Sequence, residues 1–127
     1  MKESNELLAS VAGANEAMVG LYLYWQSKKG LKEVHRGFDL RKRGNDSSIE
    51  MFVEIEVSDN LAYCWWVDVN FKGEAWNVEG SLLKTENGEQ HVLSRLLKIG
   101  GSSLEDFTIE LAKAIKTIVD SSKQFQL

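Results

Sequence analysis

Proline is absent from this chain of 127 residues, and cysteine occurs once, as Cys64. A lone thiol excludes an internal disulfide and any zinc cage built on cysteines, so the fold has to be held by packing. Without proline there are no stiff linkers, and glycine is left to punctuate the chain. No apolar run approaches the ~20 residues needed to span a bilayer, and the opening Met1-Lys2-Glu3 leads into a polar segment with no signal-peptide core. The cytoplasm is the expected compartment, with no membrane partner. The length predicts a single globular domain over residues 1–127. Repeats, low-complexity segments and recognised nucleotide, metal or catalytic motifs are also missing.

Charge is unevenly spread. Residues 1–45 carry a net +3, residues 46–89 a net −8 and residues 90–127 a net +1. The acidity falls in the middle, where the side chains alternate most clearly. Ile49, Met51, Val53, Ile55 and Val57 occupy every second position, with Glu50, Glu54 and Glu56 between them. A strand turns successive side chains to opposite faces, so this is a half-buried strand with one apolar and one acidic side. Tyr63, Trp65, Val67, Val69 and Phe71 repeat the pattern against Ala62, Cys64, Trp66, Asp68 and Asn70.

Ahead of these strands, Ser4 to Lys29 places Leu8, Val11, Met18, Tyr22 and Trp25 at helical spacing, with Ser4 or Asn5 as N-cap. A second stripe of Ala9, Gly13, Ala17 and Gly20 would let another element approach closely. The competing possibility is a strand over residues 21–25, since aromatic side chains favour strands. Leu31 to Arg43 reads as the first strand, with Val34, Phe38 and Leu40 on one side and His35, Gly37, Asp39, Arg41 and Arg43 on the other. The cluster Gly44-Asn45-Asp46-Ser47-Ser48, then Ser58-Asp59-Asn60, Lys72-Gly73-Glu74 and Asn87-Gly88, mark four turns. A fifth strand runs from Glu89 to about Leu97, and Gly100-Gly101 breaks it. Ser102 or Ser103 then caps a final helix with the stripe Leu104, Phe107, Leu111, Ile115, Ile118 and Val119.

The expected fold is therefore α+β: an N-terminal helix, a five-stranded antiparallel meander and a C-terminal helix, both helices packed on one sheet face. That face takes Met51, Val53, Ile55, Tyr63, Trp65, Val67, Trp76 and Val78. The other presents Phe52, Glu54, Glu56, Cys64, Trp66, Asp68, Asn77 and Glu79. Two large aromatics among carboxylates match the make-up of a recognition patch. The candidate partner-binding residues are Phe52, Glu54, Glu56, Trp66, Asp68 and Glu79, against the simpler account that Phe52 and Trp66 pair across strands or fill a small second core.

The expected function is binding of a protein with a basic surface, without cofactor or metal and without catalytic residues. Such a face repels nucleic acid, and the basic cluster Arg36, Arg41, Lys42 and Arg43 lacks interleaved aromatics. Proteins that neutralise nuclease toxins, the immunity proteins of bacterial competition systems, fit the same description of size and charge; this is an analogy of charge rather than of motif. The alternatives are a secretion-chaperone-like homodimer and a ligand-binding or catalytic cup lined by Trp25, Trp65 and Trp76. Glu54, Glu56 and Asp68 as acid, base or cation ligands, His35 and His91 as metal ligands, and Cys64 as a nucleophile are weighed against solvated charge, surface histidine and a packing thiol.

Overall fold

The computed structural model describes residues 2–44 and 46–127; Asn45, assigned to the first turn, lies outside the described residues. Helix α1 (Lys2–Gln26) leads into five strands, β1 (Glu33–Arg43), β2 (Asp46–Ser58), β3 (Leu61–Lys72), β4 (Ala75–Glu86) and β5 (Glu89–Gly101), and helix α2 (Leu104–Gln124) closes the chain. The strands form one antiparallel sheet in the order β1-β2-β3-β4-β5. Each connection is a tight hairpin. Gly44 and Gly73 lie at φ +60° and +62°, and Asn87 and Gly88 both have positive φ, 54° and 82°, as a primed two-residue turn requires.

The pleat sorts the side chains as the alternation predicts. Met51, Val53 and Ile55 of β2, Trp65, Val67 and Val69 of β3 and Val78 of β4 lose all contact with solvent, while Phe52, Glu54, Glu56, Trp66, Asp68 and Glu79 are half-buried on the other side. Both helices lie on the first side: α1 over β1 and β2, α2 over β3, β4 and β5, and each helix against the other. Trp25 stacks on Trp65 at 5.5 Å and 16°, and Phe125, just past α2, meets Trp65 edge-on at 5.3 Å. The Trp25 indole donates to the buried Ser122 hydroxyl at 2.8 Å, tying the C-terminal ends of the helices together. Trp76 donates to the Ser103 carbonyl at 2.9 Å and meets Phe107 edge-on at 5.5 Å, fixing the opposite end of α2. The Ser103 hydroxyl accepts from the Asp106 amide, so Ser103 is the cap.

Residues 21–25 continue α1, as the helical spacing predicts, and the competing strand is not formed. Four expectations are corrected. Helix α1 starts at Lys2, so Ser4 and Asn5 lie inside the helix instead of capping it. Its buried stripe runs through Ala14, Met18, Leu21 and Trp25, with Leu7 and Val11 packed alongside, whereas Leu8 is 67% exposed. The true stripe keeps a three-four spacing in which small Ala14 is a core residue, and that size hid it. Gly100 and Gly101 extend β5 instead of ending it. A Cβ on Gly101 would come within 2.8 Å of the Trp76 ring, so glycine here lets the strand pass under the indole.

The last correction concerns the small-residue stripe of α1. Ala9, Gly13 and Ala17 face Ala112, Ile115 and Val119 of α2 across a groove of about 470 Å³, and a Cβ on Gly13 or Gly20 would meet nothing within 4 Å. No close approach offsets the conformational freedom these glycines lose on folding. Gly20→Ala is therefore expected to raise stability by about 1 kcal/mol, read as a higher urea midpoint at unchanged m-value. A neutral or destabilising result would mean that the helix uses the missing side chain.

Candidate functional site

The sheet face turned away from the helices is a grid whose rows are fixed by register. Phe52 and Trp66 stand directly opposite each other on β2 and β3. Their rings stack at 5.9 Å and 12°. Gly37 opposes Phe52 from β1, and a side chain there would overlap the Phe52 ring, at 2.6 Å from Cζ. The aromatic slab thus spreads over the bare backbone of β1. Alternation alone makes Gly37 one member of a strand face; its cross-strand role depends on register.

One row away, Asp39 opposes Glu50, Glu50 opposes Asp68 and Asp68 opposes Glu79. Four carboxylates therefore occupy neighbouring positions on four adjacent strands. The row is closed at both ends by cations: Arg41 Nε lies 2.8 Å from Asp39 and Lys98 Nζ 3.6 Å from Glu79. Among the described residues, the middle pair Glu50 and Asp68 has no salt bridge, and Asp68 accepts only from the Asn70 amide at 3.1 Å. Asp39 holds the Arg41 guanidinium above its ordinary pKa by hydrogen bond and charge, with Glu50 adding to the effect. Asp39 and Glu50 were outside the candidate set; Glu50 shares the parity of Glu54 and Glu56, which was the available signal.

The remaining candidates are placed differently. Glu54 opposes His35 and Cys64. Glu56 lies at the far end of β2, 2.9 Å from His35 Nε2 and 3.9 Å from Lys32 Nζ. Lys32 in turn pairs with Asp59 at 2.6 Å, a hydrogen bond that raises the lysine pKa and lowers that of the aspartate. The structure thus brings Phe52, Trp66, Asp68 and Glu79 together and leaves Glu56 in a separate charge network. His35 keeps the surface position expected of it, its side chain 41% exposed, and takes part in that network. Donor atoms of Glu33, His35 and Glu56 all lie within 4.8 Å of one another, and one imidazole with two carboxylates is a donor set that a divalent cation can use.

A shallow hollow of about 300 Å³ adjoins the carboxylate row, bordered by Trp66, Asp68, Glu79 and Arg95. The acidic centre of the face is thus flanked by Arg95 and Lys98 on β5 and by Arg41 on β1. The basic cluster is split by the pleat, since Arg36 and Lys42 share the parity of Val34 and Arg41 does not. Cys64 belongs to the open face by parity yet is only 4% exposed. Burial, and then the Glu54 charge, push its thiol pKa up to about 12. Trp25 and Trp65 face each other in the core, which spends them on packing.

Comparison with protein-family models, curated proteins and solved structures gives no match. Among the described residues, no helix is long and apolar enough to cross a membrane.

Like charges directly opposed across strands destabilise a sheet by roughly 0.2–1 kcal/mol. Asp68→Asn, at the middle of the row, is accordingly expected to stabilise the protein by about 0.5 kcal/mol at low salt, with the gain shrinking as salt screens the repulsion. Paired denaturation curves at two ionic strengths measure this, and a loss of stability would show that the carboxylate is satisfied where it stands. Cys64 gives a second test. Its folded pKa lies above the ordinary 9.0, so the folded state holds the proton longer, and stability falls as pH rises from 9.0 to about 12. The Cys64 share of that slope approaches about 1.4 kcal/mol per pH unit and should vanish in Cys64→Ala. Equal alkaline slopes in the two proteins would place the thiol in water.

Proposed function

We propose that this chain is a non-catalytic binding domain whose open sheet face docks a protein partner with a basic surface. The observation that carries the reading is the opposed series Glu50, Asp68 and Glu79 beside the Phe52–Trp66 stack. Setting like charges opposite one another weakens the isolated fold, and a partner's arginines or lysines placed over the row would remove that repulsion on binding. The adjacent slab supplies rigid apolar area, and its ring faces suit guanidinium groups. Carboxylates held in a row on a rigid sheet can also stand where a nucleic acid's phosphates would lie. That is the chemistry of a toxin-neutralising immunity protein, and it is the narrower form of the proposal.

A ligand cup draws less support, because Trp25 and Trp65 stack on each other. The decisive comparison is capture of proteins from the native host by the wild-type chain and by the combined variant Glu50→Gln, Asp68→Asn, Glu79→Gln. Wild type is expected to retain a basic protein whose affinity falls at least tenfold between about 50 and about 300 mM salt. The variant should lose it while folding at least as stably. Capture that ignores salt, or that survives the neutralisation, overturns the reading.

A further inference from the structure

The two edges of the sheet differ in how they are protected. At one edge, the register of β5 against β4 shifts twice, between Gly80 and Ser81 and between Leu82 and Leu83. Such bulges twist an edge away and spoil it as a template. At the other edge, β1 pairs with β2 from Glu33 to Arg43 with no shift, and the chain has no proline to interrupt it. Among the described residues, no strand pairs with the outer side of β1. On the helix side of this edge Phe38 is 42% and Leu40 61% exposed, whereas Val34 packs against the core. A regular strand with apolar side chains along its rim is the kind of edge that recruits another strand.

The charge pattern of β1 identifies the occupant. Antiparallel pairing of two copies about an axis normal to the sheet keeps every side chain on its own face, so residues of equal parity oppose each other. With Gly37 opposite Gly37 of the second copy, Glu33 meets Arg41 and His35 meets Asp39 on the open face. On the helix side, Val34 meets Leu40 and Arg36 meets the Phe38 ring. Neighbouring registers lose this match. Centring on Arg36 opposes Arg36 to itself and Glu33 to Asp39; centring on Phe38 opposes His35 to Arg41 and Val34 to Lys42; centring on Asp39 opposes Asp39 to itself and Arg36 to Lys42.

We propose that the chain forms a homodimer through antiparallel pairing of β1 with β1 of a second copy, with the two-fold axis at Gly37. The five-stranded sheet becomes continuous across the axis, with all four helices of the pair on one side. Because each Phe52 ring leans over Gly37, the two Phe52–Trp66 slabs then lie on either side of the axis and form one band. The proposal does not depend on the basic partner inferred above, and its readout is the oligomeric state alone.

An edge-strand interface buries less than a standard one, so a dissociation constant of about 10 μM is expected for the full chain by sedimentation equilibrium. Phe38→Lys combined with Leu40→Lys should raise that constant at least tenfold while leaving the thermal melt of the monomer in place, since both side chains are already exposed. Register is tested by disulfide trapping. Arg36→Cys with Phe38→Cys should oxidise to a covalent dimer, whereas Phe38→Cys alone should not, because opposed residues lie within bonding reach and residues offset along the strand do not. A chain that stays monomeric at about 200 μM overturns the proposal. So does a dimer indifferent to the lysine substitutions, or efficient trapping by Phe38→Cys alone.

Discussion

The parity of β2 and β3 decides where everything else can be. Met51, Val53, Ile55, Trp65, Val67 and Val69 all point to one side, and the only way to dry that side is to lay both helices over it. The other side is then set by default, because a strand that turns valine inward turns its neighbour outward. A slip of one residue in β3 would exchange Trp65 for Trp66, and one in β2 would put Glu50 and Glu54 under α1. Burial of unpaired carboxylates on that scale is incompatible with folding, so the apolar core fixes the register of the open face, and with it the alignment of its charges. The aromatic stack and the carboxylate row are consequences of the same constraint that builds the core.

That constraint also explains what could be read from the chain before its structure. Face assignments within a strand follow from alternation, and they hold for β2, β3 and β4. The turns follow from residue chemistry: Asn87 and Gly88 take the positive φ values that this pair tolerates, and Ser103 caps α2. What stayed hidden are relations between strands. Neither the overlap of Phe52 with Gly37 nor the series Asp39, Glu50, Asp68 and Glu79 exists in any single segment; each depends on turn lengths that set which residue faces which. The buried stripe of α1 was obscured for another reason, since Ala14 contributes to the core without adding to hydrophobic periodicity. Gly100 and Gly101 resemble a break in sequence and act as clearance for Trp76 in space.

Several features work against the stability of the isolated fold. Glu50 and Asp68 repel across the ladder, Gly13 and Gly20 loosen α1, and among the described residues the Trp65 indole N–H is buried without a hydrogen-bond partner, at a cost of about 1–3 kcal/mol. These differ in kind. The indole is the consequence of putting a large aromatic at the centre of the sheet, where stacking with Trp25 and contact with Phe125 offset it. Gly13 lines the groove between the helices, and Gly20 is exposed on α1. The carboxylates lie on an open surface in the middle of the sheet, where neutral side chains of the same shape are expected to fold as well or better. A local conflict that folding does not require is where sequence is serving something other than the fold.

Position within the sheet sharpens that argument. Glu50, Asp68, Phe52 and Trp66 sit on β2 and β3, inner strands paired on both sides and backed by fully buried core residues, so their backbones are the least free to move. The cations Arg41, Arg95 and Lys98 sit on the edge strands. On the proposed reading, a basic surface would be repelled at the rims and attracted at the centre, which would narrow the orientations in which it could dock. A uniformly acidic face would attract basic surfaces without regard to angle. Placing the negative charge on rigid inner strands and the positive charge at the margins turns a general attraction into a directional one. The same arrangement would leave the β1 edge for the proposed strand pairing, because its mixed charges would complement a reversed copy of themselves. The central row, carrying one sign only, could not pair with itself in that way.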